Sequence, residues 1–113
     1  MSKVYVVQKQ MTFDTSVGDF VPRFDLTAAE HYGEFVYLLS PVASPFKAGD
    51  FVTEIRERLQ DFTSDDFLLL LGNPCFIGLC TAIAAKSSGG TVNLLQWNNK
   101  AGIYEKIKVT GLI

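Results

Sequence analysis

Apolar and polar positions alternate along this chain in blocks short enough to name an element for each. The most telling block is Phe67 to Leu71, unbroken and of strand length, bounded by Asp65-Asp66 on one side and Gly72 on the other. A block of this kind suits a strand covered on both faces, as in a parallel sheet. Gly72 stops it, Asn73 can cap a helix by accepting the amide of Cys75 or Phe76, and Pro74 fits the first helical position. The helix so predicted runs from Pro74 to about Ser87 and has no polar face before Lys86. Gly78, Ala82 and Ala85 make a small-residue stripe along it, and a helix this apolar needs cover from the sheet plus the N-terminal arm, or from a second chain.

Around that unit the other elements fall into place. Val4 to Lys9 reads as a first strand, with Val4 and Val6 opposite Tyr5 and Val7. Residues 10–24 carry turn formers without periodicity, so an irregular arm or ordered loop is expected there, studded with Phe13, Phe20 and Phe24. A short helix follows, capped by Asp25 or Thr27, with Thr27 and Glu30 at capping-box spacing and Gly33 at its end. Glu34 to Leu39 is a strand, and Ser40-Pro41 ends it. Asp50 to Phe62 is an amphipathic helix with Phe51, Ile55, Leu59 and Phe62 on one stripe and a Glu54–Arg58 pair on the other face. Thr91 to Trp97 and Ile103 to Val109 form a terminal hairpin whose last strand sets Ile103, Glu105, Ile107 and Val109 against Tyr104, Lys106 and Lys108, so one face is wet. The order implies right-handed crossovers. The expected fold is a single α/β domain over residues 1–113: a small, mostly parallel sheet with two main helices and a C-terminal antiparallel β-hairpin.

Length and charge then narrow the function. At 113 residues the chain is one domain's worth, able to remove roughly 65% of its unfolded surface from water. Ten basic residues against 12 acidic ones give no field that gathers nucleic acid or an anionic membrane. No apolar run reaches the ~20 residues of a membrane span, and the first residues have too short an apolar core for a secretion signal. Cys75 and Cys80 sit about 140° apart on one helix and cannot pair with each other, which fits reduced thiols in a cytoplasm.

Candidate chemistry is sparse. Gly72, Asn73 and Cys75 lie where α/β sheets place ligands, and exposed amides there favour a small anion, but Pro74 removes one donor and no phosphate-loop pattern is present. Cys75 near a helix N-terminus is the only nucleophile in view. Its base would have to be His31, the single histidine, remote in sequence. One histidine and two badly spaced cysteines make no metal site, and no cofactor is implied. Asp65-Asp66 reads as a solvated turn. Trp97 and Tyr104 with Lys100, Lys106 and Lys108 put aromatic rings among lysines on the hairpin, as single-stranded nucleic-acid binders do; cross-strand aromatic pairing and edge lysines are the plainer explanation.

Phe24-Asp25-Leu26 with Tyr32-Gly33, Asp61-Phe62 before Asp65-Asp66-Phe67-Leu68, Gly72-Asn73-Pro74, Ala82-Ile83-Ala84, and Leu94-Leu95 with Trp97 and Tyr104 together resemble an uncharacterised family of small tailed-bacteriophage proteins. The resemblance runs from Phe24 to Val109 and transfers no catalytic residue. It implies a phage accessory protein acting in the bacterial host cytoplasm by binding a host or phage macromolecule. The leading expectation is therefore non-enzymatic protein binding, to itself or to a larger partner, through the apolar second helix and the arm, with Phe13, Phe20, Trp97 and Tyr104 as contact residues. A nucleic-acid module on the hairpin is the alternative, and a ligand or enzyme site at Gly72 to Cys75 ranks third.

Overall fold

Lys3–Gln8 forms β1, and the computed structural model, which describes residues 2–113, sets this strand at the centre of the sheet. Its valines decide the placement. Val4, Val6 and Val7 are fully buried and Tyr5 nearly so, hence both faces of β1 need cover and both its edges need partners. β4 (Glu34–Leu39) pairs with it in parallel on one side and β5 (Phe67–Leu69) on the other. β6 (Val92–Asn98) continues the parallel run and β7 (Ile103–Val109) closes it antiparallel, giving the order β4-β1-β5-β6-β7. The expected α/β class, mostly parallel sheet and terminal antiparallel hairpin are all present.

The crossovers are unequal. The first steps from β1 to one side and the next two step to the other, so a constant right hand puts their connections on opposite faces. One face carries α1 (Val52–Arg58) and α2 (Pro74–Ser87), over a core of Tyr5, Val7, Ile55, Leu59, Phe62, Leu68, Phe76 and Cys80. The other carries only a six-residue 3-10 helix, Thr27–Tyr32, which presses Ala29 onto Val4, Val6, Leu69 and Leu95. That second layer is thin.

Several expectations need correction. Residues 10–24 are not irregular: β2 (Met11–Asp14) and β3 (Asp19–Pro22) form an antiparallel hairpin with Phe13 opposite Phe20. The turn residues that masked it are its turn. Asp14 accepts the Ser16 amide on its side chain and the Gly18 amide on its carbonyl, and Gly18 takes φ +74°. The helix expected over Asp50 to Phe62 is α-helical only through α1; before it, Pro45–Phe51 is 3-10 and broken at Lys47. The apolar stripe survives the shortening, with Ile55, Leu59 and Phe62 buried. Thr27 does not build a capping box; Asp25 instead accepts the Thr27 amide and hydroxyl. Asp66, expected in solvent, is buried: its carboxylate accepts the amides of Lys3 and Thr63, both at 2.9 Å, tying the start of β1 to the entry of β5. Along α2 the small-residue stripe is no seam, since Gly78 and Ala82 face solvent and the arm does not cover them. Small side chains leave little apolar area there.

The exit of β1 is tied as firmly as its start. Gln8 is buried; its Nε2 donates to the carbonyls of Ser40 (3.1 Å) and Ala43 (3.3 Å), and its Oε1 accepts the Asn73 amide (3.1 Å). Gly72 makes this approach possible: at φ +123° a Cβ would stand 2.5 Å from Gln8 Cβ. Replacing Gln8 with Met keeps the volume, removes three hydrogen bonds and leaves the Ala43 carbonyl and the Asn73 amide without a partner, the Ser40 carbonyl keeping the Ala43 amide. Gln8→Met therefore lowers the unfolding free energy by about 2–3 kcal/mol in urea titration with an unchanged m-value. A loss below about 0.5 kcal/mol would mean the three segments do not depend on this amide.

Candidate functional site

Three places in the fold bear on function: the β2–β3 arm, a cleft on the thin face of the sheet, and the turn between β5 and α2. In the arm, Phe13 and Phe20 stand edge to face with ring centroids 5.3 Å apart. Cross-strand register brings them together, and their exposure is 53% and 63%. Among the described residues no other element covers this pair, and the strands of the hairpin contact chiefly each other.

The cleft opens beside the 3-10 helix at the C-terminal ends of the parallel strands, with a volume of about 740 Å³. Leu70 and Leu71 line it together with Phe24, Asp25, Trp97 and Tyr104. Trp97 and Tyr104 are opposite one another in the β6–β7 register, their ring centroids 5.0 Å apart. Tyr104 is buried to 6% exposure, so of the two expected contact residues on the hairpin only Trp97, at 41%, offers a surface. The 3-10 helix explains this burial: the Tyr32 hydroxyl donates to the Tyr104 carbonyl at 2.9 Å, drawing β7 beneath it. Ile103 and Ile107, on the opposite side of β7, are the residues left exposed. Burial, and then the Asp25 charge, pushes the Tyr104 phenol above its ordinary range. Asp25 itself is held below the usual carboxylate range by the Thr27 hydroxyl and amide.

The three lysines do not converge. Lys100 lies in the β6–β7 turn, while Lys106 and Lys108 line a polar cleft at the other end of the sheet with Asp65 and Asp66. Carboxylates thus stand beside the lysines that a nucleic acid would need.

At the β5–α2 turn the amides are largely spent. Asn73 Oδ1 accepts the Cys75 amide at 2.9 Å, the Asn73 carbonyl accepts that of Ile77, and Gln8 takes that of Asn73. With Pro74 donating nothing, the Phe76 amide is the first-turn donor left over. His31 stacks on Tyr32, centroids 4.1 Å apart, and among the described residues no three His, Cys, Asp or Glu side chains gather as a metal site would require.

Over residues 2–111 the sequence matches the family model of Phage Pam3 gp32-like protein. The chain belongs to that family. No curated protein and no solved structure gives a significant match. The Pam3 gp32-like match takes in the first 23 residues, which the resemblance read from the sequence had left outside, so the β2–β3 arm is part of the family's own domain. No helix among the described residues is long and apolar enough to cross a membrane.

Sequence reasoning missed Gln8, Asn93 and the burial of Asp66. Asn93 Nδ2 donates to the carbonyls of Ser64 (2.7 Å) and Asp66 (3.1 Å), while its Oδ1 is buried without a partner among the described residues. A polar residue inside an apolar strand, as at Gln8 and Asn93, was the signal available.

The two thiols of this Pam3 gp32-like protein differ sharply. Cys75 is exposed, whereas burial pushes Cys80 up to about 12 from 9.0. Ellman titration of the native protein is expected to count one thiol, and two after unfolding. A thiol whose pKa is raised by folding stabilises the fold fully below its unfolded value and loses that contribution as pH climbs toward its folded one. Stability should therefore fall from about pH 9 upward, by roughly 2 kcal/mol at pH 10.5 from Cys80 alone, and Cys80→Ala should flatten the profile.

Proposed function

We propose that this phage protein acts without catalysis, by binding another protein through the β2–β3 arm, in the cytoplasm of the bacterial host. The observation that supports the reading is the Phe13–Phe20 pair, two large rings more than half exposed on a hairpin that no other element among the described residues covers. A two-stranded hairpin alone is marginal in water, and exposed aromatic rings are the side chains that dominate interfaces once covered. Val17 at the tip, 64% exposed, extends the apolar surface. The principal extents of 46 × 35 × 24 Å fit a domain with a projecting element. The nucleic-acid reading has less behind it, because its lysines are divided between the two ends of the hairpin and the Tyr104 ring is buried.

A photo-crosslinking residue placed at Phe13 or at Phe20 in infected cells tests this. Both positions are expected to capture the same protein, while a position on the exposed side of α1, such as Glu57, captures none. Phe13→Ser with Phe20→Ser should abolish capture from Val17 and leave the melting temperature of the domain within a few degrees, since neither ring supports the core. Equal capture from all positions, or none from the arm, would contradict an interface there.

A further inference from the structure

We infer that the cleft between Phe24 and Trp97 takes an arginine side chain presented by a partner protein, held by Asp25 and the Tyr104 hydroxyl. This names the chemistry of the partner and rests on the protein-binding reading, at a surface separate from the arm.

The Tyr104 phenol is the first ground. The residue is 6% exposed and lines the cleft, and its hydroxyl, which hydrogen-bonds no described residue, is the part that reaches the cleft's solvent. A hydroxyl that opens into the cleft and bonds no protein group can accept from a ligand donor without giving up a partner in the fold. Asp25 is the second. One oxygen, Oδ1, accepts the Thr27 amide and hydroxyl, which fixes the carboxylate at the cleft wall and leaves Oδ2 free to accept. Both groups line the same cleft, so a donor seated in it can turn to either of them. Lys and Arg of this chain do not neutralise it there: no basic side chain lines the cleft, and Arg23 stands over Phe24 with its guanidinium carbon 5.4 Å from the ring centre.

The walls choose among cations. Trp97 offers a half-exposed indole, and Leu70 and Leu71 give an apolar floor for a methylene stem. A planar guanidinium stacks on an aromatic face while donating in its own plane to a carboxylate, which a compact ammonium cannot do. The volume of about 740 Å³ lies within the range of ligand sites and leaves room for the residues flanking the arginine.

Trp97 is the one tryptophan of the chain, so its emission reports the cleft directly. The probe is N-acetyl-arginine methylamide, with the uncharged isostere N-acetyl-citrulline methylamide and a nucleoside monophosphate as comparisons. The expected result is a saturable change with the arginine probe, about tenfold weaker binding of the citrulline probe, and a similar loss in Asp25→Asn. Asn at position 25 can still accept the Thr27 amide, so the turn is retained. Tyr104→Phe removes an atom with no partner in the fold and should weaken binding about threefold without changing the melting temperature; it decides the matter if Asp25→Asn misfolds. Equal, unsaturable responses to both amino-acid probes, an unchanged response in Tyr104→Phe, or tighter binding of the nucleotide would overturn the assignment. Because the probe is a free amino-acid derivative, this failure leaves capture through the arm untouched, and loss of capture through the arm leaves the cleft result standing.

Discussion

The rest of the molecule depends on the placement of β1 at the middle of the sheet. Val4 to Val7 are apolar on both faces of a strand, and such a segment has no stable position except between two neighbours and beneath two layers. Two buried polar side chains hold it there. At its start Asp66 receives the Lys3 amide, and at its end Gln8 joins the Ser40 loop to the β5–α2 turn. Both contacts span more than thirty positions in sequence, so neither forms until the sheet itself is assembled.

From that placement the asymmetry of the two faces follows. β4 and β5 lie on opposite sides of β1, and the crossover that leads to β4 must use the face that α1 and α2 do not occupy. That crossover spends its length on the β2–β3 hairpin and a single 3-10 helix, too little to cover a five-stranded sheet. What it leaves is a projecting pair of rings and an aromatic cleft with a carboxylate in its wall. The face that packs thickly carries the stability, and the thin one carries the exposed chemistry. The Pam3 gp32-like family match over residues 2–111 takes in the hairpin as well as the sheet.

Much of this was legible in the sequence where a pattern was long and one-sided. The strand begins at Phe67 as the residues predict but ends at Leu69, leaving Leu70 and Leu71 half-buried against the cleft, whereas the Asn73 cap accepting the Cys75 amide and the bounds Pro74–Ser87 of α2 are as predicted. So are Glu34–Leu39 and Ile103–Val109. The hairpin was not, because each of its strands has four residues and neither face is buried, so no apolar alternation marks it. Tyr104 was placed on a wet face with Lys106 and Lys108. The chain's alternation is correct, but which face is covered depends on the Tyr32 hydroxyl reaching β7 from 72 positions away. Gln8 and Asp66 are likewise long-range: a lone polar residue beside an apolar strand marks a buried polar contact without naming the distant segment that supplies it. Phe13 and Phe20 were singled out as anchors from composition, and the structure adds that they face each other. Lys100 was grouped with Lys106 and Lys108 by proximity in sequence, which a hairpin turn undoes.

Native-state hydrogen exchange measures the central claim most directly, that a rigid body is built on β1 while the β2–β3 arm stands apart from it. The amides of Val4 to Val7 and of Leu68 and Leu69 should exchange only through global unfolding, with the same free energy as denaturant titration gives, and those of residues 11–14 and 19–22 several orders of magnitude faster. Protection of the hairpin equal to that of β1, or early exchange of β1 itself, would contradict it.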